Sequence, residues 1–103
     1  MPKMPKSAPP DLIVIAWYTR ENFDRIRTFA KGGGGMHATF DEWLKNAQEE
    51  IAGIIPLGIK VIRFEIDPEE LRAWLRSRKV KSNEQTRALF VHETYSARIS
   101  TKH

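Results

Sequence analysis

The 103-residue sequence is 41% hydrophobic and 10% aromatic, the size and content of one domain with one core rather than of a disordered chain. It has no cysteine, which excludes a disulfide framework, a thiolate metal site and a cysteine nucleophile. Seventeen Lys and Arg against thirteen Asp and Glu leave a net charge of +4, which points toward a polyanionic partner. The charges are segregated: residues 1–31 carry six basic and three acidic groups, 32–66 three and five, and 67–103 eight and five. An acidic middle between basic flanks equally suits one copy meeting another.

Residues 1–10 hold four prolines, two lysines and no aromatic residue, so they are expected to form a disordered tail. Residues 101–103 are expected to be a disordered end, and 11–100 the folded domain. The longest apolar run, Leu12 to Tyr18, is seven residues, against roughly twenty for a membrane helix. No apolar segment of signal-peptide length follows the charged start. No membrane association and a cytoplasmic location are expected.

Leu12–Tyr18 is β-rich and apolar throughout, which predicts a strand covered on both faces or nearly so. Thr19 is an N-cap for a helix whose inner face carries Phe23, Ile26, Phe29 and Ala30, and Gly32–Gly35 ends it. Thr39 with Glu42 forms a capping box, and Phe40, Trp43, Leu44, Ala47, Ile51 and Ile54 recur at helical spacing until Pro56 and Gly58. Ile59–Ile66 is a second strand, with Ile62, Phe64 and Ile66 on one face and Arg63 and Glu65 on the other. Asp67, Pro68, Glu69 and Glu70 start a third helix, in which Leu71, Trp74 and Leu75 face inward. Ser82 with Gln85 caps a fourth, whose stripe is Ala88, Val91, His92, Tyr95 and Ile99. The order is β-α-α-β-α-α: an α+β domain with a two-stranded core sheet packed by four helices. The junctions at Tyr18–Phe23 and Ile66–Leu71 sit 48 residues apart, which shared junction chemistry explains as well as duplication.

The segments Thr39-Phe40-Asp41-Glu42-Trp43-Leu44, Gly58-Ile59-Lys60-Val61-Ile62 and Ile66–Trp74 resemble a family of small uncharacterised bacterial proteins with no assigned function. The resemblance covers most of residues 12–92. It implies a shared fold and no activity, because the shared motifs are helix caps and core aromatics.

Chemistry-bearing residues are sparse. The Gly32–Gly35 run lacks a preceding strand and a following Gly-Lys-Ser/Thr, so a helix–helix connection is expected rather than a phosphate loop. His37, beside that run and near Asp41 and Glu42, is the one residue that suits a small enzyme; His92 is expected on the surface and His103 in the disordered end. The pairs Glu49-Glu50 and Glu69-Glu70 are helix neighbours that face different ways. Neither a catalytic group, a metal site nor a cofactor is expected. The strongest signal is basic: Arg72, Arg76, Arg78, Lys79, Lys81 and Arg87, opposed only by Glu84. These suit a phosphate backbone, and nucleic acid is the alternative partner. Trp17, Tyr18 and Tyr95 are expected at an interface. The leading expectation is a non-enzymatic interaction or regulatory module that self-associates as a dimer, with an unknown protein partner.

Overall fold

A computed structural model describes residues 11–100 of the protein. The expected tail, 1–10, and the end, 101–103, with His103, lie outside the described residues. Within them the order is β1 (Leu12–Trp17), α1 (Arg20–Arg27), α2 (Phe40–Ile54), β2 (Lys60–Glu65), α3 (Pro68–Arg78) and α4 (Glu84–Ser100). The expected α+β architecture is what the chain adopts.

The helix starts are made by local chemistry. The Thr19 hydroxyl accepts a hydrogen bond from the Asn22 amide and the Thr39 hydroxyl from the Glu42 amide, each 3.1 Å. Asp67 accepts from the Glu69 amide, with Pro68 in the first helical position. The fourth cap lies one residue beyond the expected one. Asn83 Oδ1 accepts from the Thr86 amide while the Asn83 amide donates to Thr86 Oγ1, both 2.9 Å, and Ser82 is turned into the interior. Helix α1 also ends earlier than expected. The Thr28 hydroxyl takes the Arg25 carbonyl at 2.6 Å, and Ala30 is extended, so Phe29 and Ala30 follow the helix rather than continue its face.

β1 and β2 pair in parallel, Leu12 opposite Lys60 through Trp17 opposite Glu65. The Lys60 amide donates to the Asp11 carbonyl and the Ile66 amide to the Trp17 carbonyl, both at 3.0 Å. Since parallel bonds repeat every second residue, Ile13, Ile15 and Trp17 point their backbone groups at β2. Leu12, Val14 and Ala16 point theirs outward, as do Val61, Arg63 and Glu65 on β2. Among the described residues the sheet has two strands, so each strand has an edge with no strand against it. Every residue of β1 is therefore half-buried, not covered on both faces as its composition suggests.

Side chains of α1, α3 and α4 meet the strands in one cluster of Tyr18, Phe23, Ile26, Phe64, Ile66, Leu71, Leu75, Phe90 and Val91. Val14, Ala16, Trp43 and Trp74 pack against it. Trp43 stands among Trp17, Tyr18, Phe23 and Phe40, with centroids 4.9–6.1 Å away. The ion pairs Arg20–Asp41, Arg25–Glu69, Arg78–Glu93 and Arg98–Glu70 each join two different helices.

Candidate functional site

The basic cluster divides three ways. Leu71 and Leu75 bury the inner side of α3, which leaves Arg72 and Arg76 on its outer side. The helix ends at Lys79 in the left-handed conformation, φ 58°, and the chain turns back so that Lys81 joins them. Arg72, Arg76, Lys79 and Lys81 thus line one groove of 450 Å³, together with Phe29. The Arg72 guanidinium lies 5.3 Å from the centre of the Phe29 ring. None of these four cations has a carboxylate within 4.0 Å among the described residues, whereas Arg20, Arg25, Arg78 and Arg98 all do.

Arg78 leaves the group. Its guanidinium stacks 4.8 Å from the Trp74 ring and pairs with Glu93, to which Trp74 Nε1 also donates at 3.2 Å. Those hydrogen bonds, Arg78's first, hold the Glu93 carboxyl below the usual carboxylate range. Arg87 leaves it too, and for a different reason. It is 4% exposed, so it cannot meet a phosphate backbone on the surface. In α4 the inward residues are Arg87, Phe90, Val91 and Tyr95, while Ala88, His92 and Ile99 are exposed. Arg87 precedes Phe90 by three and Val91 by four, so the spacing that buries those two buries it as well. That spacing was the available signal.

Of the expected interface residues, Tyr18 is 5% exposed and belongs to the core. Burial pushes its phenol up from its ordinary pKa, and the positive charge of Arg87 beside it offsets part of the effect. Trp17 is half-buried under the Arg63 guanidinium, 5.0 Å from its ring centre. Arg63 and half-buried Tyr95 line one concavity of 500 Å³ beside β2, with Ile62, Phe64 and Ile99.

On the other side of the sheet, Val14–Ala16 of β1, Trp43 and Ala47 of α2 and Arg87 of α4 enclose a cavity of 310 Å³. His37 borders this cavity. Its side chain is exposed, its carbonyl accepts from Arg27 Nε at 2.9 Å, and Asp41, one of the two carboxylates near it in sequence, pairs with Arg20. No group of three or more His, Asp or Glu among the described residues is placed to hold a metal ion. No helix among them is long and apolar enough to cross a membrane.

No family model, curated protein or solved structure matches the chain, so the resemblance read from its sequence rests on those residues alone.

Proposed function

We propose that the protein is a non-enzymatic interaction module that self-associates through the outer edge of β2. The observation that carries this is the unpaired edge itself: no strand among the described residues lies against it. Bare strand edges pair readily with another chain. The sequence of this edge is self-complementary. Two copies related by a two-fold axis through Phe64 form an antiparallel ladder in which Arg63 of each faces Glu65 of the other. Ile99, 48% exposed, and the concavity lined by Ile62 and Tyr95 add apolar surface beside the ladder.

Light scattering at high micromolar concentration is expected to give a mass near twice 11.9 kDa. Arg63→Glu sets like charges opposite each other at both positions and is expected to yield a monomer. Adding Glu65→Arg restores opposite charges and the dimer. A monomeric wild type, or a double variant no better than the single, overturns the proposal; circular dichroism of each variant checks that it is folded.

A second reading, a nucleic-acid-binding protein, is favoured by one specific observation. Arg72, Arg76, Lys79 and Lys81 share a groove with an aromatic ring and have no carboxylate within 4.0 Å among the described residues, while the other side of the same helix is buried.

A further inference from the structure

The cavity beside β1 is bordered by a buried guanidinium, Arg87, that has no carboxylate within 4.0 Å among the described residues. Arg87 is 4% exposed, and removing a guanidinium from water costs several kcal/mol unless it is paired. Nη1 donates to Ser82 Oγ at 3.1 Å, and the Tyr18 phenol, also neutral, lies beside the same side chain. Glu50 and Glu84 border the cavity, yet neither lies within 4.0 Å of the guanidinium. A guanidinium has five N–H donors, and two neutral oxygens do not occupy them. No fully buried side-chain nitrogen or oxygen among the described residues is left without a partner, and Arg87 lines the cavity, the one opening beside it that could take its remaining donors.

The surroundings are built around this group. Gly34, at φ 59°, lies so close that a Cβ would stand 3.2 Å from Arg87 Nη1 and 2.5 Å from the Ser82 carbonyl. The Tyr18 ring stacks edge-on against Phe23 and Trp43, which fixes the phenol on the other side. Val14, Ala16, Trp43 and Ala47 line the remainder.

We infer that this cavity binds a small free monocarboxylate, its carboxylate against Arg87 and its apolar body along Val14, Ala16, Trp43 and Ala47. The fork of a guanidinium matches the two oxygens of a carboxylate. One positive charge flanked at cavity range by two carboxylates, Glu50 and Glu84, favours a monoanion over a phosphate dianion. A volume of 310 Å³ falls at the lower end for small-molecule sites, which suits an acid of a few carbons. This inference is independent of self-association, since it uses β1 and the proposed interface uses β2.

The test is a titration of the full chain, followed by amide NMR shifts of Val14, Ala16 and Ala88, with hexanoate, hexanamide and inorganic phosphate. Hexanoate is expected to move all three resonances along one saturable curve. Hexanamide, the same length without the charge, is expected to bind at least tenfold more weakly, roughly the effect of losing a charge-assisted hydrogen bond. Arg87→Met keeps the length, removes the charge and is expected to erase the difference between the two. That comparison of hexanoate with hexanamide needs no variant, so it stands even where Arg87→Met fails to fold. Equal binding of acid and amide, tighter binding of phosphate, or no saturable shift of these residues overturns the inference.

Discussion

At the residue scale the most consequential position is Tyr18, the last apolar residue before α1. It lies in the core beside a buried arginine, and burial raises its pKa above the ordinary value. A group whose folded pKa is raised gives its full stabilisation below the unfolded value, about 10 for tyrosine. That stabilisation is lost as pH rises through the folded value, because the buried phenol must then ionise or the protein unfold. Wild type is therefore expected to lose stability relative to Tyr18→Phe above about pH 10, measured as urea midpoints from pH 8 to 11. Parallel pH profiles for the two proteins would show that ionisation of this phenol is not linked to folding. The same residue shows where a sequence misleads. Tyr18 sits at a strand end, which composition associates with exposure, and it is buried by Phe23 of α1 and Trp43 of α2 together with α4, which returns from more than sixty positions away.

At the element scale, what depends on neighbouring residues was legible and what depends on distant ones was not. Thr19, Thr39 and Asp67 cap their helices as their side chains dictate, since a cap is satisfied within three residues. The cap at Asn83 slipped by one because Ser82 also satisfies the pattern, and Arg87 takes the Ser82 hydroxyl from inside the fold. The convergence of Arg72, Arg76, Lys79 and Lys81 was visible as spacing, whereas Arg78 was drawn off by Glu93, a residue of another helix. The direction of strand pairing had no local signature. Helix α2 offers a quantitative test of the packing. Trp43 meets four other aromatic rings and Trp74 one, Phe90, so the two half-buried tryptophans are not equivalent. Trp43→Ala is expected to cost about 3 kcal/mol in urea unfolding, the low end for a large aromatic truncated in a core, and Trp74→Ala clearly less. The reverse order would place the principal aromatic anchor on α3.

At the scale of the whole molecule, charge sorts into tied and free. The ion pairs between helices consume Arg20, Arg25, Arg78 and Arg98, and the cations of the α3 groove remain to set how the surface meets polyanions. If the groove meets four phosphates, log K on duplex DNA is expected to fall with log salt with a slope of roughly −3.6. Arg76→Ala with Lys79→Ala then flattens the slope by about two units, with little change in stability because both side chains are exposed. Weak binding whose slope the double variant leaves unchanged would reduce the groove to a solvated surface. The parallel sheet has its own consequence for how the chain is made. Leu12 finds its ladder partner in Lys60, 48 positions later, and parallel strands have no hairpin through which to begin. During synthesis, at roughly 5–20 residues per second, the apolar segment Leu12–Trp17 waits several seconds before β2 exists to receive it. Through that interval the nascent chain displays a bare hydrophobic strand, and none of the described residues before β2 forms a second strand to shield it.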